Sequence, residues 1–75
     1  MSFEHRSTEE LIRLVQAGGG LKLTATDRST EDLVLIAAAA AEWGVFVTFS
    51  GLEGRTTDDL LRIVAAGQGS VVLKG

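Results

Sequence analysis

The sequence predicts an α/β fold in which three helix-strand repeats form a short solenoid, a three-stranded parallel sheet with the helices on one face. A six-position pattern of Arg, Ser or Thr, Thr, two acids and Leu occurs three times in 75 residues, at positions 6–11, 28–33 and 55–60. After each occurrence come apolar residues at helical spacing, then glycine, then a short run of strand character. A pattern that recurs in this way indicates a repeat architecture.

The hydroxyl residue at the second position of each pattern is predicted to be a helix N-cap. An acid follows it three places later, in the pairs Ser7 and Glu10, Ser29 and Asp32, and Thr56 and Asp59. This is the spacing of a capping box, in which side chains satisfy backbone N–H groups at the start of a helix. Acids in the first turn also suit the positive end of the helix dipole, so three helix starts are expected.

Glycine is predicted to end each helix, and a strand is predicted to follow it. The glycines lie at 18–20, at 44, and at 67 and 69, and glycine readily adopts the left-handed conformation after a last helical turn. The strand-like runs are residues 21–25, 45–49 and 71–74. Their alternation predicts these inward side chains: Leu21, Leu23, Ala25, Val45, Val47, Phe49, Val71 and Leu73.

The repeats are predicted to form one domain, residues 1–75, with units at 6–28, 28–55 and 55–75. Strand-helix-strand connections of this length favour parallel strands with right-handed crossovers. Near-uniform spacing of the units favours the strand order one, two, three and leaves the second sheet face uncovered. The alternative, in which one strand is inserted between two others, needs a longer or altered connection.

Composition disfavours several classes of function. The net charge is −3, and the basic residues are spread along the chain, whereas nucleic-acid binding needs a basic stripe. The longest apolar run, 33–41, is much shorter than the roughly 20 residues that span a bilayer. We therefore expect neither a nucleic-acid nor a membrane partner, and a cytoplasmic location.

The sequence offers no set of residues for catalysis or cofactor binding. There is no Cys, and the one His, His5, has no regularly placed partner for a metal site or for activating a nucleophile. Glycines 18–20 follow a helix and precede a strand, which is the reverse of the order in a phosphate-binding loop. We expect no enzyme activity, no metal and no other cofactor.

The repeated arginines, Arg6, Arg28 and Arg55, have two interpretations. They could form a ladder of salt bridges to neighbouring acids, each weak if exposed. Alternatively, their guanidinium groups could bind an acidic ligand, since the planar fork suits carboxylate and phosphate.

The middle helix departs from the repeat and contains the predicted oligomer interface. It has an apolar residue where the outer helices have Arg13 and Arg62, followed by a run of alanines at 37–41. A helix that is apolar nearly all round is normally buried on every side, although a single exposed apolar residue is common. The predicted contact with another subunit comprises Leu35, Ala38, Ala39, Glu42 and Trp43.

The outer edges of the predicted sheet favour head-to-tail stacking of copies. Residues 2–6 align with residues 51–55, so one copy could follow another in register, and uncapped strand edges recruit further strands. Such stacking gives a filament, or a ring if it closes, and oligomerisation helps a chain with a small core. The leading hypothesis is a self-assembling structural or scaffold protein that homo-oligomerises.

The alternative hypothesis is a small protein-binding module or inhibitor that uses the uncovered sheet face. In this hypothesis Phe46 and Val72 are apolar anchors in a polar surround. The whole face comprises Lys22, Thr24, Phe46, Thr48, Val72 and Lys74.

The strand patterns Leu21-x-Leu23-x-x-Thr26 and Val45-x-Val47-x-x-Ser50 resemble those of leucine-rich repeats, where a polar residue after the strand forms a ladder. Thr and Ser replace the Asn or Cys that is characteristic of that family. The resemblance implies a curved solenoid whose sheet face binds partners, and it implies no activity.

Overall fold

The computed structural model describes residues 7–26 and 28–74, which form three helices and a three-stranded parallel sheet. The strand order is β1-β2-β3, with β1 parallel to β2 and β2 parallel to β3, as the sequence predicts. The elements in chain order are α1 (Thr8–Gln16), β1 (Leu21–Thr24), α2 (Thr30–Trp43), β2 (Val47–Ser50), α3 (Thr57–Gly67) and β3 (Val71–Leu73).

The three predicted helix starts are confirmed. The Ser7 hydroxyl accepts a hydrogen bond from the Glu10 amide at 3.1 Å, and the Ser7 amide donates to Glu10 Oε1 at 3.1 Å, which completes a reciprocal capping box. In α2 and α3 the N-cap hydroxyl accepts from the amide three residues later, at 3.1 Å in both. The capping chemistry of the repeated pattern therefore sets where each helix begins.

The second strand begins at Val47, two residues later than predicted. Gly44 ends α2 in the left-handed conformation, with φ of 68°, and the Val45 amide donates to the Ala40 carbonyl at 3.1 Å. That bond closes the end of the helix, so the Val45 amide is not available to the sheet. Leu21 consequently pairs with Val47. Because the shift is two residues, the predicted division into inward and outward side chains is unchanged.

The end of α3 differs from the prediction at Gly67, whereas Gly69 does take a positive φ, of 91°. Gly67 is the last helical residue, and Gln68 adopts the left-handed conformation with φ of 46°. A Cβ at position 67 would lie 2.2 Å from Val71 Cγ2 and 3.6 Å from the Ala37 Cβ. Gly67 is therefore required by the close approach of α3 to β3, and the left-handed turn falls on the residue after it.

Replacing Gly67 with alanine is expected to destabilise the protein. Helix propensity alone would favour alanine by roughly 1 kcal/mol, whereas the clash with Val71 costs about 1 to 3 kcal/mol. Urea unfolding followed by circular dichroism measures the difference. Gly54→Ala is the matched control, because a Cβ there meets nothing within 4 Å. A gain in stability for Gly67→Ala would contradict the packing argument.

The core lies between the helices and one face of the sheet. Inward side chains of β1 and β2 and the inner sides of the helices share a single buried cluster, so the helices cover that face. Among the predicted inward residues, Val45 and Val71 are half-buried and Leu73 is 37% exposed. The buried cluster comprises Leu11, Val15, Leu21, Leu23, Ala25, Leu33, Ile36, Ala37, Ala39, Ala40, Val47, Phe49, Leu52 and Ile63.

Candidate functional site

The arginine of each repeated pattern reaches back to the preceding unit. Arg28 Nη1 donates to Thr8 Oγ1 at 3.1 Å, and Arg55 Nη1 donates to Thr30 Oγ1 at 2.7 Å. Arg55 Nη2 also donates to the Ala25 carbonyl at 2.8 Å and to the carbonyl of Arg28. The threonine of one pattern holds the guanidinium of the next, and for Arg55 the carbonyls of the turn before that threonine accept as well.

For Arg55 these contacts stand in place of the salt-bridge interpretation, because its acceptors are the Thr30 hydroxyl and the carbonyls of Ala25 and Arg28. In α1 the first-turn acid Glu10 accepts from the Ser7 amide, and the arginine of the next pattern lies beside Thr8. Arg6 belongs to the same pattern but lies outside the described residues.

Arg62 makes an ion pair with the preceding unit. Arg62 Nη2 lies 3.9 Å from Glu31 Oε1, and Arg62 Nη1 lies 3.9 Å from Asp59 Oδ1. These side chains are exposed, so each pair contributes at most about 1 kcal/mol. The pair between Arg62 and Glu31 nevertheless defines which positions of adjacent units face each other.

The α3 side of the molecule exposes positions that the other units bury. Val15, Ala37 and Val64 occupy the same place in their helices; the first two are fully buried, whereas Val64 is 39% exposed. In the strands, Phe49 is fully buried, and Leu73 at the same place is 37% exposed. In α1 and α2 a following unit covers this position, and α3 is not followed by one in the described part of the chain.

An apolar cleft of about 200 Å³ opens on this α3 side. It lies beside the outer strand β3 and below the first turn of α3. Its lining residues are Leu52, Glu53, Leu60, Leu73 and Lys74. A cleft with this largely apolar lining is suited to an apolar side chain.

The α1 side exposes the complementary positions. Leu14 occupies the place of Ile36 and Ile63, which are fully buried, yet Leu14 is 37% exposed. In α2 and α3 a preceding unit covers this position. The α1 side therefore carries the residue that packs onto a preceding unit, and the α3 side carries the surface that such a residue contacts.

Four of the five predicted oligomer-interface residues lie on the exposed surface of α2, and the fifth does not. Leu35 is 55% exposed, and Ala38, Glu42 and Trp43 are also exposed; these four form the outer stripe. Ala39 belongs to the buried cluster, because α2 lies between α1 and α3 and is covered on both flanks. Ala39 is therefore covered within the chain, and Ala38 is the exposed alanine of the outer stripe.

The predicted sheet-face residues share the open sheet face, the face opposite the helices. Lys22 pairs with Thr48 and Thr48 with Val72 in the sheet register. Phe46 precedes β2 and is 67% exposed. Position 20, next to it, is glycine, and a Cβ there would lie 3.0 Å from the Phe46 carbonyl oxygen. Thr24 and Lys74 are also exposed, and Thr48 is half-buried.

No protein family, curated protein or solved structure matches this chain. Within residues 7–26 and 28–74, no helix is long and apolar enough to cross a membrane. In the same residues no group of three or more His, Cys, Asp or Glu side chains could hold a metal ion.

Sequence reasoning did not identify Leu14, Val64 and Leu73 as interface candidates. Their residue types are ordinary for a core, and the sequence predicts that helical or strand periodicity buries them. The repeat itself contained a signal, because within the described residues the first and third units each have one neighbouring unit. The exposure of equivalent residues in the three units shows which side of each outer unit is uncovered.

Proposed function

We propose that this chain is a self-assembling structural or scaffold protein, a short α/β solenoid that stacks head to tail. In this proposal the α1 side of one copy packs on the α3 side of the next. One observation carries it: Leu14 and Val64 are exposed at opposite sides, whereas the residues at their places in the other units are fully buried. Stacking buries both, and burial of apolar surface drives association.

Charge supports the same orientation. Arg62 faces Glu31 across the contact between α2 and α3. The equivalent positions across a stack are Arg13 on the α1 side and Asp58 on the α3 side, which are again a cation and an anion. In α2 the position equivalent to Arg13 and Arg62 is Leu35, so α1 and α2 do not form this charge pair. The pair is available where Arg13 of one copy would meet Asp58 of the next.

The sheet supports stacking through its edges. β1 and β3 are the outer strands, and an outer strand presents unpaired N–H and C=O groups that can pair with another strand. Val47 pairs with Val71 within the chain, and the same register across a stack would pair Val71 with Leu21 of the next copy. The product is an open filament, or a ring if the rotation closes.

The outer stripe on α2 supplies a second, lateral contact between stacks. Leu35 and Trp43 are large apolar side chains on an exposed helix surface, and Ala38 between them allows close approach. Exposed apolar patches of this kind mark interaction sites.

Size-exclusion chromatography with light scattering, carried out over a series of concentrations, tests the proposal. We expect the molar mass to rise with concentration in steps of one chain, and electron microscopy to show filaments or rings. A monomer at every concentration would rule out self-assembly as the function.

Leu35→Glu separates the two contacts. We expect it to weaken lateral association of stacks about tenfold or more, because a charge enters an apolar contact, while stacking itself continues. Phe46→Asp, on the open sheet face, is the matched control and should leave assembly unchanged. Loss of assembly in Phe46→Asp would instead place the interface on the open sheet face, the surface of the alternative protein-binding function.

A further inference from the structure

Two guanidinium sites of the same kind are occupied within the chain. In the first, Thr8 accepts from Arg28 at 3.1 Å. In the second, Thr30 accepts from Arg55 at 2.7 Å, and the carbonyls of Ala25 and Arg28 accept from the other Nη atom. In the second site all three acceptors are seen: one hydroxyl and two carbonyl oxygens surround the planar guanidinium group of Arg55.

The start of α3 has the groups for a third site. Thr57 holds the place of Thr8 and Thr30 in the repeated pattern, and it is exposed, whereas Thr30 is buried. The turn before the arginine is also repeated, since the Arg28 amide donates to the Ala25 carbonyl at 3.1 Å and the Arg55 amide to the Leu52 carbonyl at 3.0 Å. The carbonyls of Leu52 and Arg55 thus correspond to those of Ala25 and Arg28.

The chemistry of the site selects arginine. In the occupied site one Nη atom meets the hydroxyl while the other meets the carbonyls, which requires donors held in a rigid fork. Lysine has a single ammonium nitrogen and would not place donors at both positions. Asp58, the next residue after Thr57, adds negative charge near the site.

We infer that the start of α3 binds the guanidinium of Arg6 from a second copy of this chain, an inference that rests on the proposed stacking. Arg6 lies outside the described residues, and its position in the sequence supports the assignment. It directly precedes the N-cap Ser7, as Arg28 precedes Ser29 and Arg55 precedes Thr56. The two described arginines of the repeated pattern, Arg28 and Arg55, each donate to the threonine of the preceding pattern. Stacking of the α1 side on the α3 side would make Thr57 the corresponding threonine for the first pattern of the next copy.

A double-mutant cycle in the full chain tests the contact. Light scattering or sedimentation gives the association constant for wild type, Thr57→Val, Arg6→Gln and the double variant. A hydrogen bond to a charged group predicts that Thr57→Val weakens association about tenfold and Arg6→Gln by at least as much. The double variant should associate no more weakly than Arg6→Gln alone, because both changes remove the same contact.

Two further variants test whether Thr57→Val acts through loss of the hydroxyl or through a general effect of the substitution on the fold. Thr57→Ser keeps the hydroxyl and should associate within about twofold of wild type. Thr48→Val makes the same substitution as Thr57→Val on the open sheet face and should not change association. Circular dichroism of dilute samples verifies that each variant is folded.

The possible outcomes are distinguishable. If the wild type assembles and the effects of Arg6→Gln and Thr57→Val simply multiply, the guanidinium site is overturned while stacking stands. If Thr57→Ser associates as weakly as Thr57→Val, the hydroxyl is not the acceptor and the site is likewise overturned. A wild type that stays monomeric overturns both the site and the proposed function.

Discussion

Leu14→Asp and Val64→Asp are each expected to prevent head-to-tail stacking at concentrations where the wild type stacks. Each side chain is more than one-third exposed in the single chain, so an aspartate there can remain hydrated in the monomer. In a stack the same carboxylate would be buried against apolar residues without a partner, which costs several kcal/mol. Association should fall by about a hundredfold or more, as measured by light scattering.

Mixing the two variants tests the polarity of the stack. Leu14→Asp leaves the α3 side intact, and Val64→Asp leaves the α1 side intact. A head-to-tail interface joins the two intact sides, so an equimolar mixture should form heterodimers that grow no further. Native mass spectrometry distinguishes these heterodimers, because the two variants differ in mass.

A symmetric interface gives a different result. If two copies of the same side met each other, one variant would dimerise alone and the mixture would contain no heterodimer, which would contradict head-to-tail stacking. Phe46→Asp serves as the control for the added charge, since Phe46 lies on the open sheet face and should not affect either experiment. Circular dichroism shows whether each variant retains its fold.

Phe49→Ala is expected to remove most of the stability of the fold. Among the described residues, Phe49 has the largest volume of the fully buried side chains. It belongs to the core cluster. Truncation of a buried Phe costs about 3 to 5 kcal/mol, while a chain of this length has roughly 4 to 11 kcal/mol in total at typical values per residue. The melting temperature should fall by about 15 °C or more.

Phe46→Ala is the matched control, because it removes the same atoms from a side chain that is 67% exposed. Its free energy of unfolding should change by about 0.5 kcal/mol or less. Thermal unfolding by circular dichroism must be compared at one oligomeric state, since association raises the melting temperature. Equal losses in the two variants would show that Phe49 is not the centre of the core.

The elements themselves could be predicted from local sequence because local chemistry decides them. A hydroxyl with an acid three residues later caps a helix wherever it occurs, and the N-caps Ser7, Ser29 and Thr56 lie at the predicted positions. Strand alternation has a period of two, so the inward assignment of Val47 and Phe49 is correct even though β2 begins later than predicted.

Contacts between units could not be predicted in the same way. Gly67 has the sequence context of a helix stop, but Val71 lies so close that a Cβ is excluded, and the left-handed residue is Gln68. Ala39 shares the alanine run with Ala38, yet the flanking helices bury it. The burial of Ala39 depends on helices that are distant in the sequence, and the clash at Gly67 depends on how closely β3 returns onto the end of α3.

By itself, the sequence determined the helix starts and the strand alternation, because capping and side-chain periodicity act over a few residues. It also predicted the parallel order, because the repeated connections are long enough for crossovers. Only the tertiary structure decided which threonine holds which arginine and which repeated positions remain exposed. The three units are nearly equivalent in sequence, but their neighbours differ: the middle unit has one on each side, whereas α1 and α3 each leave one side uncovered. Burial depends on those neighbours, and it makes Leu14 and Val64 the candidates for assembly.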